Sequence, residues 1–301
     1  TVSGNITLHV VTAYTWTGNT SNVWNSTTTN NWCGTINTNK TGCAGGGTIP
    51  GSSNTAIVDS TCNSGNCSPT TNYDLSLAGF KLGGATFNQG TGFTLTVGAS
   101  GYTQTGGTFN GSDATINING ATSITGGIFK SPSGTAKLNG GNFTITAPAT
   151  FDANSGTIEI NGVGTIDTEG VSFYKLSFIA WLKTYNFNNR TFTVLNDLIL
   201  GNPNQVTNSV IFNNGTIQAK GNIYVNQTNS SSDGSGGNAV ILVNGNSDQT
   251  ITCYDLNSFL PALRIQSSGG SVIFGTYVNI GSMGSYEYLS GNVTTTNSTL
   301  L

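Results

Sequence analysis

The residues of this 301-residue chain that could do chemistry are few. The densest acids are Asp152, Glu159, Asp167 and Glu169. Two carboxylates roughly 5–10 Å apart are what a glycosidase needs, one as acid and one as base or nucleophile. No Arg or Lys follows these four until Lys175, so they read more simply as solvated surface acids. His9 is the single histidine, and a Ser-His-Asp triad would have to recruit it from a terminal strand. Asp233-Gly-Ser-Gly-Gly-Asn238 imitates the Gly-Gly-x-Gly-x-Asp calcium repeat only weakly. Gly45-Gly-Gly47 lacks the Lys-Ser/Thr that completes a phosphate loop. No catalytic residue, cofactor or metal is therefore expected.

Cys33, Cys43, Cys62 and Cys67 cluster early, and Cys253 stands alone. Two bridges are expected among the four, Cys33–Cys43 and Cys62–Cys67 being one of three possible pairings. The spacing does not resemble zinc patterns and no His accompanies it. Disulfides fit an extracellular, oxidising setting. Cys253 reads as a small buried hydrophobe, with an intermolecular bridge as the sharper alternative. Trp16, Trp24 and Trp32 are evenly spaced in the same region. They suit either a cap over the end of a repeat stack or a surface for stacking sugars.

What must position these groups is a repeat. Phe87, Phe109, Phe129, Phe151 and Phe173 recur at intervals of 22, 20, 22 and 22 residues. The first three follow Gly-Gly-Ala-Thr, Gly-Gly-Thr and Gly-Gly-Ile, and looser copies precede the other two. A period of this length means one structural unit stacked on the next. Segments such as Phe93–Val97, Ala114–Ile118 and Thr157–Ile160 alternate apolar and polar residues between Gly-rich corners, which is strand patterning. The chain is expected to be all-β: a single-stranded parallel β-helix, or β-solenoid, with coils of about 22 residues, capped by the Trp/Cys-rich region. The five Phe rings are expected to form a core ladder about 4.8 Å apart.

The organisation expected is an N-terminal strand over residues 1–14, a cap with the first coils over 15–74, regular coils over 75–175, irregular coils over 176–290 and a tail over 291–301. In the first segment Ile6, Leu8 and Val10 alternate with Thr7, His9 and Val11. That apolar face either pairs within the domain or is donated to a neighbouring subunit by strand addition, which makes the three residues candidates for subunit contact. Thr1 reads as a mature terminus left by signal cleavage.

Composition narrows the partners. Only 7% of residues are charged, against roughly 25% in average globular proteins. The net charge is −3, and no Lys/Arg stripe could neutralise phosphates, so nucleic acid is not expected as a partner. No run of 18 apolar residues spans a membrane. Thirteen Asn-x-Ser/Thr triplets run from Asn5 to Asn297, close to the roughly ten that this composition yields by chance.

Trp16-Thr-Gly, the spaced tryptophans and Ile49-Pro-Gly followed by Thr55-Ala-Ile-Val-Asp59 resemble the opening of many secreted bacterial repeat proteins. The Gly-Gly-Thr-Phe units resemble their stacked coils. Gly245–Thr252, Leu260–Ile265 and Ser268–Phe274 resemble a further unit of the same kind. The resemblance is to β-solenoids of the filamentous-haemagglutinin and autotransporter-passenger type. It implies a surface location and carries over no catalytic residue. Two features depart from it: no translocator-barrel pattern occurs in these residues, and Asn202-Pro-Asn204 lies mid-chain, unlike the secretion-domain motif it echoes. The paired-aspartate, His-Gly and Arg-x-Lys signatures of pectin-degrading solenoids are absent.

The expected function is thus that of an extracellular structural subunit that self-assembles head to tail into a filament, sheath or layer. An adhesin or carbohydrate-binding passenger, using Trp16, Trp24 and Tyr102 on surface polysaccharide, is the alternative. A polysaccharide-active enzyme is the second alternative.

Overall fold

The computed structural model describes residues 12–34, 47–62, 65–180, 182–202, 209–226, 236–254, 256, 258–282 and 284–296. The expected strand residues Ile6, Leu8 and Val10, with His9, lie outside the described residues, as do Cys43 and Asp233. The chain is an all-β solenoid of about 10 turns, with parallel coils stacked about 22 residues apart.

Each coil has three sides, and each side stacks in register on the coil before it. The first side runs through Leu75–Leu77, Leu95–Val97, Ile116–Ile118, Ala136–Leu138 and Ile158–Ile160, then Leu176–Phe178, Leu198–Leu200, Ile223–Val225 and Ile251–Cys253. All but Leu198-Ile199-Leu200 carry a polar or hydroxyl-bearing residue between two apolar ones, and alternation at period two puts the outer pair of each triplet inside. Leu198, Leu200, Ile223, Val225 and Ile251 are completely buried. The second side begins at Tyr14 and passes through Ala56, Phe80, Tyr102, Thr122, Phe143 and Ile166.

The third side carries the phenylalanine ladder. Phe87, Phe109, Phe129 and Phe151 are direct partners in consecutive coils. Their ring centroids are 5.4, 4.8 and 5.8 Å apart, with interplanar angles of 29°, 11° and 10°. Those distances approach the spacing between hydrogen-bonded strands, so the rings stack because the backbone does. Phe173 meets Phe151 at 5.2 Å but edge-on, at 67°. Phe151 is only partly buried, whereas Phe87, Phe109 and Phe173 are 0% exposed.

The column does not stop where the phenylalanines do. From Phe173 it passes to Val194, Ala219, Val243, Ile265 and Tyr288, at intervals of 21, 25, 24, 22 and 23 residues. The region expected to be irregular keeps this register and changes the residue type. Strand Tyr286–Thr295 crosses the boundary expected at 290/291, so the first residues of the expected tail belong to the last described coil.

The N-terminal end is closed differently. Trp32–Gly34 pairs antiparallel with Tyr14–Trp16, and Ala13–Thr15 of the same strand pairs parallel with Thr55–Ile57. Trp16, Trp24 and Trp32 pack with centroids 4.4–6.3 Å apart. Trp24 also meets Phe87 at 5.9 Å, which joins the cluster to the ladder. Indoles fill the core at the N-terminal end of the described residues.

Several buried side-chain polar atoms have no hydrogen-bond partner, and one of them lies on the second side. Thr122 stands between Tyr102 and Phe143 on the second side, is 3% exposed, and its hydroxyl has no hydrogen-bond partner. A buried hydroxyl without a partner keeps its desolvation cost. Thr122→Val keeps the shape and removes that cost. It is expected to stabilise the protein by about 1 kcal/mol, read as a melting temperature about 1–2 °C higher.

Candidate functional site

The four acids do not converge. Asp152 lies on the third side opposite Lys130, Glu159 on the first side opposite Lys137, and Asp167 on the second side opposite Thr144. Each has its own local employment. Glu159 is 3.6 Å from Lys137, and Asp167 is 2.6 Å from Arg190 and accepts from the Asn188 amide at 2.8 Å. The hydrogen bond from the Arg190 guanidinium holds the Asp167 carboxyl below its ordinary pKa. A lowered pKa suits a permanent anion and not a general acid. Glu169 accepts the backbone N–H of Thr191 at 3.0 Å, and Asp152 that of Asn154 at 3.0 Å.

Charged groups instead serve the stacking. The four ion pairs among the described residues, Lys137–Glu159, Lys175–Asp197, Arg190–Asp167 and Arg264–Glu287, all join residues 22 or 23 apart, one coil to the next. Asp74, Asp113 and Asp248 accept backbone N–H groups of Thr94, Gly92 and Ser271, also between coils. Side-chain amides do likewise: Asn110 donates to Asn88 and Asn139 to Asn119, at 2.8 and 2.9 Å. Exposed pairs of this kind contribute little singly, about 0–1 kcal/mol, but they select one register over its neighbours.

The aromatic residues offered for sugar stacking are corrected by their burial. Trp16, Trp24 and Trp32 are 0% exposed and Tyr102 is 1% exposed, so no ring face is open to a glycan. The indole N–H of Trp16 donates to the Asn66 carbonyl at 2.8 Å, and the Tyr102 hydroxyl donates to Gln104 Oε1 at 2.8 Å. Burial pushes the Tyr102 hydroxyl pKa well up. A large ring contributes most where it is removed from water, and the open end of a core offers that place.

Cys62 and Cys67 are joined by a disulfide, and Cys33 is also disulfide-bonded, while the partner expected for it, Cys43, lies outside the described residues. Cys253 carries a buried thiol, 2% exposed, on the first side of a late coil. That burial leaves an intermolecular bridge no access. Among the described residues no group of three His, Cys, Asp or Glu could hold a metal ion, and no helix is long and apolar enough to cross a membrane.

What the structure does expose is the last coil. Tyr286–Thr295 pairs with Ala262–Phe274 on one side. Tyr286 and Tyr288 occupy the columns of Leu263 and Ile265, which are 1% and 0% exposed, yet they are themselves 43% and 52% exposed. Leu289 beside them is 50% exposed. Positions that are core in the four coils before are surface here, because no described strand covers them. The strand has no Pro and no Lys, and its one charge, Glu287, is engaged by Arg264. Of the devices that usually blunt a sheet edge it has only the irregular register of its pairing, which shifts between Ile265 and Gln266 and between Gln266 and Ser271. Sequence reasoning missed these tyrosines because their column is visible only once Ile265 and Val243 are known to continue the ladder. Comparison with protein-family models, with curated proteins and with solved structures finds no match to this chain.

Proposed function

We propose that this protein is a non-catalytic, extracellular structural subunit of the surface-solenoid kind, which associates end to end with further copies into a filament, sheath or layer. The observation that carries this reading is the register-matched stack of parallel coils, whose last described strand, Tyr286–Thr295, is paired on one side among the described residues and carries Tyr286, Tyr288 and Leu289 exposed. A free strand edge is a template for another chain, and a head-to-tail contact that does not close generates a fibre. The scarcity of charge, 7% of residues, removes the repulsion that keeps proteins apart. The disulfides support an oxidising compartment. The use of acids for stacking, on three separate sides, supports a scaffold over an enzyme.

The N-terminal segment 1–14 of a neighbouring copy, which carries the subunit-contact candidates Ile6, Leu8 and Val10, is the partner this reading assigns to the edge. Negative-stain microscopy and light scattering over a concentration series test it. Wild-type protein is expected to form linear assemblies. The double variant Tyr286→Lys/Tyr288→Lys is expected to remain monomeric at tenfold higher concentration, with an unchanged melting curve, since both side chains are exposed in the single chain. Wild-type protein that stays monomeric throughout the series refutes the proposal.

A further inference from the structure

A second surface feature lies along the first side of the later coils and is independent of the end-to-end contact. Lys175, Asp197, Ile199, Tyr224, Asn226 and Tyr254 line a groove of about 260 Å³. They come from four successive coils: Lys175 Nζ donates to Asp197 Oδ2 at 3.2 Å, Ile199 is the direct partner of Tyr224, and the Tyr254 backbone N–H donates to the Val225 carbonyl at 3.0 Å. At one strand spacing per coil the groove extends about 14 Å along the solenoid.

Three observations give the groove a ligand chemistry. First, it presents aromatic surface: Tyr254 is 64% exposed and Tyr224 is half-buried, on adjacent coils. A phenol ring offers a flat apolar face with a polar tip, which suits a molecule with apolar CH faces and hydroxyl edges. Second, its charges cancel in the Lys175–Asp197 pair, while both heads remain partly exposed, at 32% and 21%, and keep spare donors and acceptors. Third, Asn226 is the least exposed residue of the lining, at 2%, and its Oδ1 has no hydrogen-bond partner. A buried acceptor left unpaired calls for a partner that the protein itself does not provide.

We infer that the groove is a binding site for a neutral oligosaccharide, with the Tyr224 and Tyr254 rings against sugar faces and with Lys175, Asp197 and Asn226 reaching hydroxyl groups. The test uses the whole protein and saturation-transfer NMR, followed by calorimetry, with cellotetraose, laminaritetraose, mannotetraose and tetra-N-acetylchitotetraose as probes, and tetragalacturonate and a tyrosine-rich octapeptide as comparators. At least one neutral tetrasaccharide is expected to bind with a Kd of about 1 mM or tighter. Tyr254→Ala and Tyr224→Ala are each expected to weaken it roughly tenfold or more, and Tyr254→Phe, which keeps the ring, less than about threefold. The exposed Tyr254 lets its variants keep the wild-type melting temperature, which separates lost binding from lost fold. Absence of binding by all four neutral probes at 10 mM, binding of the acidic or peptide comparator alone, or binding undiminished in Tyr254→Ala overturns the inference.

Discussion

Phe109→Ala is expected to destabilise this solenoid by about 3–5 kcal/mol. Phe109 is 0% exposed and lies between Phe87 and Phe129, at 5.4 and 4.8 Å, while Tyr102 meets its edge at 5.8 Å. Truncation removes the transfer energy of the ring and leaves a void, because the stacked backbones on either side prevent collapse. In a one-dimensional stack each coil contacts only its neighbours, so this single change weakens two interfaces together. Thermal melting is expected to fall by about 5–8 °C. Phe151→Ala serves as the comparison: its ring is only partly buried, and its contact with Phe173 is edge-on. It is expected to cost about half as much. Equal effects at the two sites, or a loss below about 1 kcal/mol at Phe109, would falsify the account of the ladder as a packed column.

Gly127, two residues before Phe129, predicts a comparable loss for a different reason. Gly127 has φ +74°, and a Cβ there would lie 2.1 Å from the Gly107 carbonyl oxygen and 2.6 Å from the Gly106 carbonyl carbon. A side chain at that φ costs about 1–2 kcal/mol by itself. The clash is with the backbone of the coil before, so relief requires two coils to separate, at about 1–3 kcal/mol more. Gly92 isolates the first term, since it has φ +78° and nothing within 4 Å of the place a Cβ would take. Denaturant unfolding of Gly127→Ala and Gly92→Ala should therefore differ by about 1–3 kcal/mol. If the two variants prove equally stable, close coil approach is not what requires a glycine at position 127.

These two residues also show how much of the fold was legible in the chain. Ring and glycine recur together because one corner geometry is repeated, and both leave a spacing that can be read without coordinates. Beyond Phe173 the spacing persists but the ring does not. A buried column asks for apolar volume, which Val194, Ala219, Val243 and Ile265 supply once Phe187, Phe192 and Phe212 fill the core from other positions. Identity-based periodicity loses the repeat there, although register does not.

The surface was harder to read. The even spacing of Trp16, Trp24 and Trp32 is compatible with an exposed row or a buried cluster, and only the antiparallel closure by Trp32–Gly34 places them inside. Asp152, Glu159, Asp167 and Glu169 are near one another in sequence, but a coil turns through three sides in that distance, which separates them. The reverse holds for the groove: Lys175 and Tyr254 are far apart in sequence and line one surface, because every coil returns to the same side.

The sequence by itself thus determined the architecture, since period-two alternation and a coil-length repeat are local consequences of burying one face of each strand. Which residues meet was decided only by the tertiary structure. Corner length varies from coil to coil, register depends on each corner in turn, and it is register that brings Tyr224 and Tyr254 to one groove and sets Tyr286 and Tyr288 in the columns of Leu263 and Ile265.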